Sequence, residues 1–540
     1  MMNQPLLISS LIRHADTCHH DTEIVSRLTE GGLHRCTYGD AHRRSRQLVR
    51  ALLRLGVAAG DRVGTLAWNN YRHFEIYYAV SGMGAICHTV NPRLFAEQIA
   101  YIVNHAGDRV VFFDLTFVKL VETVRPLCPA VEHWVVLTDR AHLPAGAAPL
   151  LCYEDLVTAE SDDYEWPEFS EETAAALCYT SGTTGNPKGV LYSHRSTVLH
   201  AYAINLPDSM GLSARDTALP VVPMFHVNAW GLPYAAPMVG AKMVLPGPGL
   251  DGASLCELYA AERVTISAGV PTIWLNTLAH LREKNIRLPS PHRTIIGGAA
   301  ASAALIHALE HEQGIEVRHS WGMTETSPAA TINTFKGQHA ALSAEARDQV
   351  HGKQGRIVPG VELRIVDDAG RELPRDGAAF GDLEVRGHWI CREYFKEEGA
   401  GVLRPGGWFP TGDVATLDAD GYMRIVDRTK DIIKSGGEWI SSIELENQAL
   451  GHPAVAGAAV IGLPHERWSE RPLLIVVKRA GHEVTGAELI EFLRSRVAKW
   501  WLPDAVEFTD AIPLTATGKI SKRTLRATYA GYYTKQPGAT

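Results

Sequence analysis

The sequence predicts an α/β protein: a large N-terminal domain of parallel sheets flanked by helices, with a small β-rich unit inside it, and then a small C-terminal α+β domain. Three observations carry that expectation. The chain has 540 residues, too many for one ordinary core at roughly 100–200 residues per domain. Strand-like and helix-like segments alternate along most of the chain, and alternation builds parallel sheets because a parallel return needs a crossover. After about residue 355 the texture changes to short strands with Gly, Asp and Pro turns, and beyond Arg428 to a compact mixed tail.

The elements follow in order. Thr37 with Asp40 fits a helix cap ahead of Leu48, Leu52 and Leu55, with Gly56 as the stop. Strands are expected at 62–68, 85–90, 109–114 and 131–138, with helices at 71–84, 96–105 and 117–125 between them. The rhythm returns at 242–246, 255–261 and 264–268, and again at 294–297, 304–313 and 316–320. Residues 361–366, 381–387, 407–417 and 421–426 read as the short strands of the β-rich unit, placed at about 355–428. In the tail, 458–462 and 472–478 read as strands. Thr485 and Glu488 form a capping box before Leu489, Phe492, Leu493 and Val497 at helical spacing.

Composition removes several function classes. The net charge of −8 argues against nucleic acid, whose phosphates call for a basic field. No apolar run approaches the 18 or so residues of a membrane span, so stable membrane insertion is not expected. The eight cysteines are scattered with no C-x-x-C pair, as expected of reduced, mostly buried thiols in a cytoplasmic protein. The N-terminus has neither a basic leader nor a small-residue cleavage site. His307 and His311 stand four apart but lack the glutamate of H-E-x-x-H, so they read as a solvated helix face.

The most informative segment is Cys178-Tyr-Thr-Ser-Gly-Thr-Thr-Gly-Asn-Pro-Lys-Gly-Val190. Gly182 and Gly185 let backbone N–H groups turn toward an anion, Ser181, Thr183 and Thr184 add donors, and Lys188 adds a point charge. That is chemistry for a polyphosphate. It is not a Walker A loop, which would need Gly where Pro187 stands and a hydroxyl where Gly189 stands. The closing lysine sets the run apart from an ordinary loop.

Further motifs follow in sequence: Gly297-Gly-Ala-Ala300, Ser320-Trp-Gly-Met-Thr-Glu-Thr326, Trp408-Phe-Pro-Thr-Gly-Asp413, Asp427-Arg-Thr-Lys-Asp431, Lys434-Ser-Gly-Gly-Glu438 and Thr515-Ala-Thr-Gly-Lys519. Together with the glycine-rich run they resemble the adenylate-forming superfamily along essentially the whole chain. Pro223-Met-Phe-His-Val-Asn-Ala-Trp230 and Trp68-Asn-Asn70 place the chain nearest the bacterial medium-chain acyl-CoA synthetases and 3-methylmercaptopropionyl-CoA ligases.

The resemblance implies an ATP-dependent ligase: a carboxylic acid and ATP give acyl-AMP and pyrophosphate, and coenzyme A then displaces AMP. ATP and CoA are thus co-substrates, with Mg²⁺ accompanying ATP. It implies that Thr180, Ser181, Gly182, Thr183, Thr184, Gly185 and Lys188 meet the phosphates, and that Trp321, Gly322, Met323 and Thr324, with Gly298, Ala299 and Ala300, border the nucleotide. Glu325 and Thr184 would hold the metal, and Asp413 and Arg428 the ribose. From these residues alone, Asp413 and Arg428 have a second, lesser reading as a structural ion pair, and 298–300 read nearly as well as close packing. Lys519, Thr324 and Glu325 are the expected catalytic residues. Lys519 would bridge the acid and the α-phosphate, and losing such a cation costs about 10³–10⁵ in rate by analogy with other phosphoryl transfers. His226, Val227, Trp230, Gly231 and Gly297 would line the acyl pocket, where the bulk of Trp230 favours short to medium acids. Lys434, Ser435, Gly436, Gly437, Glu438 and Trp439 would meet CoA, and Trp439 reads equally as packing. The expected domains are 1–428 and a mobile 432–540, with the hinge at 429–431 centred on Lys430. A homodimer is expected. Two other readings remain open here: delivery of acyl-AMP to a carrier-protein thiol, and a catalytically silent acyl or nucleotide sensor.

Overall fold

The computed structural model describes residues 1–144, 150–180, 186–289, 293–397, 401–436, 438–514 and 520–533, with Glu438 described by its backbone alone. The chain divides into two compact units, Met1–Glu362 with Arg386–Phe409, and Leu363–Val385 with Pro410–Thr540.

The larger unit holds two sheets. In the first, the strands run Leu151–Cys152, His133–Val136, Asp108–Phe113, Arg62–Leu66, Ile86–Thr89, Ala174–Tyr179, Gly189–Ser193. All neighbours are parallel except the last two, whose antiparallel pairing folds the glycine-rich segment back on itself. In the second, the strands of this unit run Gly355–Ile357, Ala329–Ile332, Glu316–Gly322, Arg293–Ile296, Ile266–Gly269, Thr217–Pro220, Lys242–Leu245, Glu23–Arg27, Leu33–Thr37. Its centre is parallel and its two margins are antiparallel. Helices cover the parallel strands. Gly252–Glu262, Pro271–Lys284 and Ala303–Gln313 bury Leu255, Tyr259, Trp274, Leu278 and Leu309 against Val221, Val244 and Ile296.

The helices begin where the caps place them. Thr37 and Asp40 form a reciprocal capping box on Tyr38–Arg54, and Gly56 follows at φ +83°, a left-handed value glycine takes at no steric cost. Thr485 and Glu488 do the same for Gly486–Arg494. That helix stops short of Val497, because Arg496 N–H already turns back to the Leu493 carbonyl; Val497 still packs on the core beside Leu489 and Leu493. The hairpin Glu23–Arg27/Leu33–Thr37 has no counterpart among the strands expected from the sequence.

Most of the antiparallel run Val361–Val366, Phe380–Gly387, Phe409–Leu417, Tyr422–Arg428 lies in the smaller unit. That unit also holds a sheet in the order Glu438–Ile440, Ile433–Ser435, Ser469–Lys478, Val455–His465, with Ala505–Phe508 parallel to Ser469–Lys478. The helices Ser442–Leu450 and Gly486–Arg494 cover its core of Ile433, Leu445, Val460, Leu474 and Leu489. Six of the eight cysteines are buried. Among the described residues no helix is long and apolar enough to cross a membrane.

Candidate active site

The glycine-rich segment joins Ala174–Tyr179 to Gly189–Ser193, and its base is closed twice. Thr180 N–H donates to the Lys188 carbonyl at 2.9 Å, and Lys188 N–H donates to Thr180 Oγ1 at 3.2 Å. Ser181, Gly182, Thr183, Thr184 and Gly185 lie outside the described residues. Lys188 is described, and its ammonium sits 4.7 Å from the centre of the Tyr394 ring.

The acid expected to meet the metal comes from the second sheet. Strand Glu316–Gly322 ends in a bulge at Trp321 and Gly322, and Thr324–Thr326 forms one tight turn. Gly322 is required there, since a Cβ would lie 1.9 Å from the Pro328 carbonyl oxygen. The turn is anchored by Met323 N–H on Thr326 Oγ1 at 2.9 Å and by the Tyr192 hydroxyl on the Thr324 carbonyl at 2.7 Å. Because Tyr192 belongs to Gly189–Ser193, the strand leaving the glycine-rich segment also fixes the Glu325 turn. Glu325 is buried, and its Oε1 accepts from the Tyr394 hydroxyl at 2.8 Å. Burial, and then the Glu325 charge, push the Tyr394 phenol well above its ordinary range, so it stays a donor. Burial and the same carboxylate push the Cys391 thiol up to about 12.

No group of three His, Cys, Asp or Glu able to hold a metal occurs among the described residues. One buried carboxylate beside threonine hydroxyls does fit Mg²⁺, which binds through one or two carboxylates and its nucleotide's phosphates. His307 and His311 are exposed with rings 4.2 Å apart.

The expected acyl-pocket residues gather in the same unit. Val227, Asn228, Ala229 and Trp230 have φ of +47°, +50°, +48° and +57°, followed by Gly231 at +81°. This is a left-handed turn, costing about 1–2 kcal/mol for each residue that is not glycine. It is held by Asn228, whose Oδ1 accepts from Cys178 Sγ at 3.2 Å and whose Nδ2 donates to the Tyr234 hydroxyl at 3.2 Å. Asn69 fixes the approach: its Nδ2 donates to the Pro220 and Val222 carbonyls, and its Oδ1 accepts from Met224 N–H. The turn lays the Trp230 ring against glycine backbone. A Cβ at Gly297 would lie 3.2 Å from that ring and 3.0 Å from the Ser320 carbonyl oxygen, and one at Gly298 3.9 Å from the ring. Residues Gly298, Ala299 and Ala300 are exposed beside it, and His226 is half-buried at the start of the turn. A Cβ at Gly231 would lie 2.8 Å from His200 Nδ1; burial drives that imidazole's pKa down to about 3, and its Nε2 accepts from Ala329 N–H at 3.2 Å.

The smaller unit holds the remaining residues. Asp413 and Arg428 are register partners on antiparallel strands, and Arg428 Nε meets Asp413 Oδ1 at 2.7 Å. Asp413 is buried while Arg428 is 43% exposed, so the pair presents an accessible face. Around the expected hinge, Asp427 Oδ2 accepts from both N–H and Oγ of Ser442, and Lys522 Nζ reaches Glu446 at 2.8 Å and Ser442 Oγ at 2.5 Å. Burial raises the pKa of both acids. Arg526 pairs with Asp431 at 2.6 Å and donates to the Lys430 carbonyl. Lys430 has its pKa lowered, mainly by burial, with Asp431 opposing. Lys434 lies 5.0 Å from the Trp439 ring, and that ring stacks at a tilt on Phe380. Ser435 Oγ accepts from Arg471, and Gly436, at φ +60°, donates to the Trp468 carbonyl. Gly437, the Glu438 side chain and Lys519 lie outside the described residues; an antiparallel bridge between Leu514 and Ile520 frames the segment that carries Lys519.

Tyr192, Tyr394, Asn69 and Asn228 take part in this site without having been expected to. Asn69 and Asn228 stand inside the quoted Trp68-Asn-Asn70 and Met-Phe-His-Val-Asn runs, which was the available signal. Tyr394 stands in no motif.

A profile of the AMP-binding enzyme family matches residues 12–395, and that of the AMP-binding enzyme C-terminal domain matches 444–519. A 3-methylmercaptopropionyl-CoA ligase of Ruegeria lacuscaerulensis is 54% identical over 97% of this chain and 98% of its own length. A medium-chain-fatty-acid–CoA ligase of Ectopseudomonas oleovorans is 50% identical over 98% and 97%. Among solved structures, an anthranilate CoA ligase in complex with anthranoyl-AMP superposes with a TM-score of 0.86 at 25% identity, covering 99% of each chain. The superfamily expected from the motifs is therefore the one found, and this chain belongs to the AMP-binding, adenylate-forming enzymes.

Proposed function

We propose that this enzyme is an ATP-dependent, AMP-forming acid:CoA ligase for a short to medium-chain carboxylic acid, with 3-methylmercaptopropionate the first candidate. In the first half-reaction a carboxylate oxygen of the acid bonds to the α-phosphorus and pyrophosphate leaves. In the second, the CoA sulfur bonds to the acyl carbon, its proton is lost and AMP leaves. Both partners of the first step are anions, so its main demand is charge neutralisation. Lys188 and Lys519 supply cations, and Glu325 with Thr184 would hold the Mg²⁺ that arrives with ATP, which would neutralise phosphate charge. Asp413 accepts from the ribose hydroxyls and Arg428 stands beside it.

The observation that carries this reading is the convergence of Lys188 and Glu325 on Tyr394, which brings a cation and a buried acid to one side chain within one unit. The Trp230 ring on Gly297 and Gly298 supports a short acyl pocket. The names of the relatives at 54% and 50% identity support the substrate range. Lys434 and Trp439 receive CoA, a lobe of residues 432–540 turns about 429–431 between the half-reactions, and the enzyme works in the cytoplasm as a homodimer.

The test is a panel of acids, from acetate to decanoate and including 3-methylmercaptopropionate, assayed for pyrophosphate release with ATP and for thioester with CoA. Acid-dependent release followed by thioester is expected, with the highest kcat/KM among three- to eight-carbon acids. No acid-dependent release on any member would overturn the reading, and thioester on a carrier protein but not on CoA would redirect it.

A further inference from the structure

Residues 391–397 run as a strap pinned at Cys391 and at each residue from Tyr394 to Glu397, and none of these strap residues stands in a sequence motif. Cys391 N–H donates to the Glu325 carbonyl at 2.7 Å, and the Tyr394 hydroxyl donates to the Glu325 carboxylate. Phe395 N–H donates to the Gly189 carbonyl at 2.8 Å, directly after Lys188, and its ring packs with Ile86, Ala106, Leu177 and Tyr179. Lys396 Nζ donates to the His105 carbonyl at 2.6 Å, with its own backbone left-handed at φ +60°. Glu397 N–H closes back on the Tyr394 carbonyl at 3.0 Å. The result is a carboxylate delivered to a fixed place: Glu397 Oε2 lies 2.8 Å from Lys188 Nζ.

An anion held at the cation that closes a polyphosphate-binding segment has a definite consequence. We propose that Glu397 is a positioning residue that occupies Lys188 in the nucleotide-free enzyme and is displaced from it by the β- and γ-phosphates of ATP. The ion pair keeps Lys188 extended over the Tyr394 ring, where the phosphates will find it. It also sets a threshold: ATP or pyrophosphate recovers the lysine's charge on displacing Glu397, whereas AMP, with no phosphate beyond the first, does not. Both side chains are partly exposed, at 45% and 39%, so the pair is weak enough to exchange. This inference rests on the assignment of Lys188 to the nucleotide's phosphates.

The experiment is calorimetric titration of the full-length enzyme with ATP, AMP and inorganic pyrophosphate, each with and without Mg²⁺. Glu397→Gln keeps the shape and removes the charge, and its melting temperature is expected to match the parent's. ATP and pyrophosphate should bind about two- to fivefold more tightly, the factor an exposed ion pair of this kind controls, with AMP unchanged. Glu397→Asp should leave affinities near the parent's. ATP affinity that is unchanged or weaker in Glu397→Gln, or AMP affinity that rises as much as ATP affinity, overturns the proposal. Lys188→Ala separates it from its premise. If Lys188→Ala weakens ATP while Glu397→Gln does nothing, displacement alone is wrong. If Lys188→Ala leaves ATP affinity intact, the phosphate assignment falls and the proposal falls with it.

Discussion

Trp230 and Asp413 are the single side chains on which the proposed acyl and nucleotide sites can be tested. The Trp230 indole lies against the backbone of Gly297 and Gly298, which has no Cβ to hold it off, and under the proposed function its bulk shortens the acyl site. Trp230→Gly should therefore move the chain-length optimum of kcat/KM to longer acids, each added methylene being worth about 1–3 kcal/mol. An unchanged optimum in the acid panel would remove Trp230 from the pocket. Asp413→Asn should weaken ATP and AMP alike, by about tenfold or more, because a charged acceptor to a ribose is lost from both. A loss confined to ATP would place Asp413 at the phosphates instead. Candidates of this kind can be named from sequence where a residue type is dictated by chemistry within a short run: Lys188 after paired glycines, Glu325 after Gly322, Asp413 after Gly412. Tyr394 and Glu397 cannot be named that way, because a tyrosine and a glutamate in a loop carry no local signature. Their contacts with Lys188 and Glu325 arise because Phe395 and Cys391 tie that loop to Gly189 and Glu325, far away in sequence.

At the scale of elements, helices and strands were readable by period and cap, since burial on one face writes itself into the spacing of apolar residues. The turn from Val227 to Gly231 was not. Left-handed backbone is signalled by Gly or Asn, and here Val, Ala and Trp adopt it under tertiary constraint. Asn228 is the fastening. Asn228→Ala should cost about 1–3 kcal/mol, since the Tyr234 hydroxyl and the Cys178 thiol lose their buried partner. It should also raise the KM for the acid while the KM for ATP holds. Equal changes in both would mean that the turn does not serve the acyl side. The hairpin Glu23–Arg27/Leu33–Thr37 carries no apolar alternation to mark it, since Ile24, Val25 and Ser26 are buried in a row and only Cys36 is buried in its second strand.

The whole molecule answers to acid through imidazoles that it keeps neutral. Burial lowers the pKa of His73, His194 and His319 from 6.5 to about 4, and that of His200 to about 3. A histidine whose folded pKa lies below its unfolded value binds fewer protons when folded. Its contribution is intact above pH 6.5 and is lost as pH falls from there toward the folded values. Each should remove up to about 1.4 kcal/mol of stability per pH unit in that window. Burial acts oppositely on Asp114, whose pKa it raises to about 7, so that carboxyl gains stability as pH falls and the histidine contribution is read as a difference. The melting temperatures of the parent and of His194→Gln should converge as pH falls from 6.5 to 4, and a gap that stays constant from pH 8 to pH 4 would contradict this. The two half-reactions give a second test at this scale. Lys519→Ala should abolish pyrophosphate release from acid and ATP while thioester still forms from supplied acyl-AMP. Equal loss of both halves would argue against a lobe that turns about Lys430.

The pairing of Glu23–Arg27 with Lys242–Leu245 also bears on how the protein is made. A ribosome adding about 5–20 residues per second needs on the order of ten to forty seconds to span the interval between those two segments. Throughout that time the earliest hairpin waits with one margin of its hydrogen-bonding groups unclaimed, available to any other nascent chain nearby. The risk of misassembly at the inner margin of this first-synthesised hairpin thus lasts until Lys242–Leu245 has left the tunnel.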